Sequence, residues 1–157
     1  MIQTTKDKKI WDQINTVLVF ITDVEPSDLK ALQKSIKSYF KQEQTVSYLY
    51  FYNAKKLPEN ITKLGNTTYL TKSDFNLFGA LKDKSLKERI LQFEHDLLLC
   101  IYFKKNKNVN KLITAKKAKY KIGVEQESLP NFDIAFMAEM NQGEALTQLA
   151  VKYLKQV

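Results

Sequence analysis

The chain has 157 residues, 44% hydrophobic and 27% charged, with four glycines, three prolines and a formal net charge of +8. That composition suits one folded domain with a full core and argues against disorder over most of the length. A single cysteine, Cys100, excludes an internal disulfide and a cysteine-rich zinc site. The longest apolar run, residues 97–103, is too short to span a membrane, and the polar start at Lys6, Asp7, Lys8 and Lys9 lacks the apolar stretch expected of a signal peptide, so a cytoplasmic address is expected.

Ile10, Trp11 and Ile14 predict a short helix that docks a polar N-terminus. Residues 17–22 are uniformly apolar and β-branched, as in a strand buried on both faces of a parallel sheet. Pro26 and Ser27 open a helix with one stripe of Leu29, Leu32, Ile36, Tyr39 and Phe40. Residues 46–52, rich in Tyr and Phe, follow as a second strand, which completes a βαβ unit with a right-handed crossover. Pro58, Gly65 and Asn66 punctuate a less regular middle. Residues 67–71 predict a short third strand, and 73–80 a loop or a single helical turn. Ser85 and Glu88 form a capping box, and Leu86, Ile90 and Phe93 continue at helical spacing. That helix delivers the chain into 97–103, the expected central strand. Val109, Leu112 and Ile113 mark a helix over 107–118, before strands at 120–124 and 132–138. Asn141 and Glu144 make a second capping box, and Leu146, Leu149, Ala150 and Tyr153 form the stripe of a C-terminal helix. The alternation predicts one α/β domain over residues 1–157. It is expected to be a three-layer, mostly parallel Rossmann-like sheet of about five to six strands with helices on both faces.

A dinucleotide fold wants a glycine-rich turn after its first strand, so that backbone can approach the pyrophosphate. Here the turn reads Asp23-Val24-Glu25-Pro26, with two acids and no glycine, and there is no Walker A sequence. No cofactor is therefore expected. His95, the one histidine, adjoins Asp96, a pairing that suggests a base oriented by a carboxylate. Neighbours on an extended chain point to opposite faces, however, so the pair need not touch. One His and one Cys cannot supply a metal's ligands, and Cys100 in its apolar run reads as a small hydrophobe. No catalytic residue is assigned.

Residues 104–121 hold Lys104, Lys105, Lys107, Lys111, Lys116, Lys117, Lys119 and Lys121, with no acid. Part of this run follows the C-terminal end of the expected central strand, where open parallel sheets bind ligands. It predicts an anion-attracting surface on Lys104, Lys105, Lys116, Lys117 and Lys119, for a phosphate-bearing ligand, a protein partner or a nucleic-acid backbone. A solvated helix face is the plain alternative. Nucleic acid stands last. Arg89 is the only arginine, and no aromatic is interleaved to stack bases. Lys116 shares a helical sector with Val109 and Leu112 and is expected to snorkel toward a cleft. If the ligand is a phosphorylated compound or a sugar nucleotide, Asp23, Asn53, Lys104 and Lys116 should surround one crevice. In the segment 73–79, Asp74 and Asn76 alternate with Phe75 and Leu77 before Gly79. It is either a binding loop anchored by aromatics or an Asp-capped turn that pins its hydrophobes to the core.

The stretch Phe93-Glu94-His95-Asp96-Leu97-Leu98-Leu99-Cys100-Ile101-Tyr102, continuing to Ile113-Thr114-Ala115-Lys116-Lys117-Ala118-Lys119-Tyr120-Lys121-Ile122-Gly123-Val124, resembles an uncharacterised Bacteroidota family of small α/β proteins. The 73–79 segment and the closing strand and helix are similar to it too. This resemblance implies a domain of unknown function. More loosely, an Asp-led strand, a helix and a basic–Ile–Gly strand are similar to the N-terminal, Rossmann-like half of heptosyltransferase-like glycosyltransferases, whose donor nucleotide is held mainly by a second domain. The function expected is a non-catalytic cytoplasmic binding or interaction protein with a lysine-rich, anion-attracting surface. The alternatives are an enzyme or degenerate glycosyltransferase-like domain for a phosphorylated or sugar-nucleotide ligand, and a nucleic-acid-binding protein.

Overall fold

A computed structural model of the chain describes residues 9–125, 132–137 and 143–157. The apolar segments form β1 (Thr16–Ile21), β2 (Thr45–Tyr52), β3 (Thr67–Thr71), β4 (His95–Ile101), β5 (Ala118–Val124) and β6 (Ile134–Phe136). They join in one sheet of order β3-β2-β1-β4-β5-β6, with every pair parallel. This is the strand order of a Rossmann fold, and the α/β, parallel, Rossmann-like class expected from the sequence holds.

Strands buried on both sides need a cover on both sides. Among the described residues five helices supply it: α1 (Ile10–Gln13), α2 (Pro26–Lys37), α3 (Lys84–Leu91), α4 (Lys107–Ala115) and α5 (Gly143–Gln156). Val17, Val19, Ile21, Leu97, Leu99 and Ile101 face Leu29 and Ile36 of α2 and Leu146 and Ala150 of α5. The alternate residues Leu18, Phe20, Leu98 and Cys100 face Ile90 of α3 and Val109, Leu112 and Ile113 of α4. Both parities are apolar because both are buried, which is why these strands show no period of two. No helix among the described residues is long and apolar enough to cross a membrane.

Several local expectations change. The cap of α3 is Asp83, whose carboxylate accepts from the backbone N–H of Ser85 (2.9 Å) and Leu86 (3.2 Å), so the Ser85–Glu88 pair lies inside the helix. Asp83→Ala should cost about 1 kcal/mol in urea unfolding, and Ser85→Ala only a few tenths. A larger loss from the serine variant would return the cap to Ser85. Helix α4 stops at Ala115, before the expected 118, because β5 already begins at Ala118. β4 spans His95–Ile101, which leaves Tyr102 and Phe103 beyond its end. The buried face of α5 is Gly143, Leu146, Thr147, Ala150, Val151 and Leu154, whereas Leu149 and Tyr153 are half-exposed. The close approach of Gly143 to Ile101 sets that rotation: a Cβ on the glycine would lie 3.1 Å from Ile101 Cγ2. The expected Asn141 cap and Ala138 lie outside the described residues.

Candidate functional site

Between β1 and β4 the chain switches from one face of the sheet to the other, and the C-terminal ends of these strands flank a crevice of about 490 Å³. Asp23 takes φ +62°, so an aspartate fills the left-handed position that a glycine would be expected to hold. Its Oδ2 accepts from Thr22 Oγ1 (2.8 Å) and from the backbone N–H of Lys104 (3.4 Å). Asp23 and Lys104 therefore meet. Glu25 and Asp28 line the same crevice and give it three carboxylates, a poor setting for an anion. Asn53 follows β2 on this edge without lining the crevice, and Lys116 stands at the opposite edge, just before β5. The four residues expected around one crevice are not gathered there.

The lysine run divides because α4 runs back along the sheet. Lys104, Lys105 and Lys107 are exposed at its start; Lys116, Lys117 and Lys119 lie past its end, roughly 14 Å away for nine residues. Lys116 is 2% exposed, with its Nζ donating to the Phe93 carbonyl, and burial lowers its pKa to about 8. It enters the interior from the turn after the helix, not from the helical sector expected. Lys121 Nζ donates to the carbonyls of Ile113 (2.9 Å) and Thr114 (3.4 Å), which tethers the last turn of α4. Lys119 pairs with Asp96 at 3.2 Å. Lys116 and Lys121 thus fasten the end of α4 to its surroundings, Lys111 on the helix adds a contact onto the Phe78 carbonyl, and Lys119 ties β5 to β4.

His95 packs edge-on against Phe93, with ring centroids 4.6 Å apart, and its Nδ1 is buried without a hydrogen-bond partner. Burial, then the charge of Lys116, lowers its pKa to about 4, so it is neutral at neutral pH. The Asp96 carboxylate turns to the N–H groups of Asn15 and Thr16 and does not orient the imidazole. Cys100 is fully buried, and burial pushes its thiol pKa up. Among the described residues no group of three or more His, Cys, Asp or Glu is placed to hold a metal ion.

The 73–79 segment opens with a 3₁₀ turn, Lys72–Asp74, and is closed by a bridge between Phe75 and Leu81. Asp74 accepts from the backbone N–H of Thr71 (2.7 Å). Asn76 Oδ1 accepts from those of Phe78 (2.9 Å) and Ala80 (3.1 Å). Both polar residues therefore build the loop. Gly79 is at φ +81°, and a Cβ there would stand 2.8 Å from Asn108 Oδ1 of α4. This frame holds Leu77 (101% exposed) and Phe78 (81% exposed) out in solvent. Beneath them is an apolar socket of about 150 Å³, formed by Phe75, Leu81, Leu91, Leu112 and Ala115 and rimmed by Lys87 and Lys111. Two segments far apart in the sequence, the loop and the lysine run, meet at this point.

A second concavity, of about 650 Å³, lies at the N-terminal edge of the sheet beside α3. Its polar lining includes Arg89, Lys63, Ser47, Asn66, Thr68 and His95. No run of the sequence marks it. Its residues come from β1, β2, β3, α3, β4 and the 53–66 loop, and the only local signal was that Arg89 is the single arginine.

The solved structure of E. coli heptosyltransferase WaaC with ADP is similar at 10% sequence identity and a TM-score of 0.48. The match covers 88% of this chain and 46% of that one, so the chain spans under half the length of that enzyme. No curated protein sequence matches. The profile of a Family of unknown function (DUF6913) matches residues 2–157, and the chain belongs to that family.

Proposed function

We propose that the protein is a non-catalytic interaction protein that docks an acidic protein partner through the 75–81 loop and the lysines around it. The observation that carries this reading is the presentation of Leu77 and Phe78 in solvent, with the Phe78 carbonyl bonded by Lys111. Leaving two large apolar side chains in water forgoes roughly 3–5 kcal/mol of burial, and their burial in a complex would recover it. A protruding tip beside an apolar socket suits a protein surface, with one knob given and one received. Lys87 and Lys111 on the rim, and Lys104, Lys105 and Lys107 at the start of α4, favour acidic residues opposite.

A photo-crosslinking amino acid at position 77, introduced in the source cells, should give a discrete adduct. The adduct should weaken with Lys107→Glu and Lys111→Glu together, and be absent when the probe is placed at exposed Glu59. No adduct at 77, or an adduct indifferent to charge reversal, would refute the reading.

A further inference from the structure

We infer that the groove at the N-terminal edge of the sheet is a binding site for a small amphipathic anion, an oxyanion head group carried on a flat apolar body. The volume, about 650 Å³, lies within the range of small-molecule sites, roughly 300–1,000 Å³. Arg89 contributes the head-group chemistry. It is the chain's only arginine, it is exposed, and among the described residues its guanidinium makes no hydrogen bond or ion pair. Its planar fork matches a phosphate or carboxylate bidentately. Lys63 is the second cation of the groove, its Nζ 5.8 Å from the centre of the Tyr69 ring. Thr68 adds a hydroxyl with no partner among the described residues. No Asp or Glu lines the groove, in contrast to the three carboxylates of the crevice at the other edge.

The body of the ligand has its own surface. Leu18, Leu49 and Ile90 are buried apolar residues lining the groove. Phe93, 53% exposed, lines it as well, with one edge contact taken by His95 and ring surface left for stacking. The eight residues of α3 leave the starts of β2 and β3 partly uncovered, so Ser47 and Thr68 remain half-exposed within the sheet. A flat ring resting there, its anion toward Arg89, would cover that surface. The site is separate from the docking loop: α3 gives Lys87 and Leu91 to the socket, and Arg89 and Ile90 to the groove.

The test is titration of the full chain with phenyl phosphate, benzoate, inorganic phosphate and phenol at constant ionic strength, following backbone amide resonances. Phenyl phosphate, benzoate or both should shift the amides of Ser47, Thr68 and Arg89 saturably. Each that binds should do so about tenfold more tightly than inorganic phosphate or phenol, because head group and body act together. A response to phenyl phosphate alone assigns a phosphate ester, and to benzoate alone a carboxylate. Arg89→Gln should weaken binding about tenfold with the unliganded spectrum unchanged, and Arg89→Lys should restore only part, since an ammonium lacks the fork. Lys87→Glu, on the socket side of α3, should leave the titration as it is. Absence of saturable shifts at these residues with either aromatic probe overturns the site. So does a titration unaffected by Arg89→Gln, or inorganic phosphate binding as tightly as phenyl phosphate.

Discussion

Replacing Asp96 with alanine is expected to lower stability by about 3 kcal/mol at pH 7, measured as a shift of the urea midpoint at constant slope. Its side chain is only 13% exposed. Oδ2 accepts from the backbone N–H of Asn15 (2.8 Å) and Thr16 (3.1 Å), and the Asp96 N–H donates to Thr16 Oγ1 (2.9 Å). Regular pairing of β1 with β4 begins one residue later, at Val17 opposite Leu97. The carboxylate thus extends the central ladder past its first rung. Alanine would leave two N–H groups without an acceptor at a partly buried strand start. Asparagine keeps an acceptor and loses mainly the pair with Lys119, which is 58% exposed and worth little, so Asp96→Asn should cost about 1 kcal/mol.

The acid side gives an independent check. Burial alone would raise the Asp96 pKa, but the two N–H donors and Lys119 outweigh it, so the carboxyl lies below its ordinary 3.8. Between the two values the unfolded chain holds a proton that the folded chain does not. The contribution of Asp96 is therefore complete above the unfolded value and is lost as pH falls through the folded one. The gap between wild type and Asp96→Ala should narrow at pH 3. An equal gap at pH 3 and pH 7 would show that the side chain acts without its charge.

The sheet was legible because its strands are apolar at both parities, a pattern that only a covered parallel sheet explains. Residues 17–22, 46–52 and 97–103 announced its centre within a residue or two at each end. What escaped depends on distance through space. Asp83 and Ser85 both satisfy the composition of a helix start, and the position of the last non-helical residue decides between them. The lysines look like one patch along the sequence, but α4 runs back along the sheet from Lys107 to Ala115 and carries them to opposite edges. Asp74 and Asn76 carried the signal of a built loop. That the loop would hold Leu77 and Phe78 outward, and rest on α4, depends on a contact between Lys111 and Phe78, 33 residues apart. The lack of glycine after β1 was visible, but its consequence was not: Asp23 itself takes the left-handed conformation there.

Lys116→Met is expected to stabilise the protein by about 2 kcal/mol at pH 7, an unusual sign for removing a buried residue. The lysine is 2% exposed, and its ammonium has a single carbonyl acceptor, that of Phe93. Burial outweighs the help of the Glu94 charge and brings its pKa from 10.5 to about 8. At pH 7 the group is charged in both states, so the folded state bears the full cost of burying it. Methionine keeps the apolar stem and removes the buried charge. The sign of the pH dependence follows. Between pH 8 and 10.5 the unfolded lysine holds a proton that the folded one has released, so Lys116 contributes a rise in wild-type stability across that window. Lys121, lowered in the same direction by burial, adds to the rise and leaves a smaller one in the variant. The rise weakens from about pH 9, where the unfolded Cys100 thiol ionises while burial keeps the folded one protonated, and the trend reverses above pH 10. Burial raises the pKa of Tyr48 to about 12 and pushes Tyr50 up as well, so the unfolded tyrosines ionise first and the folded state loses ground. Wild type should therefore gain most between pH 8 and 9, and the variant should gain less over the same window. His95 supplies a second readout, because the Lys116 charge helps hold its pKa down at about 4. In Lys116→Met its ring resonances should titrate at higher pH. A variant less stable than wild type at pH 7, with His95 titrating where it did before, would mean that Lys116 is neutral in the folded protein or reaches water by a path its burial does not suggest.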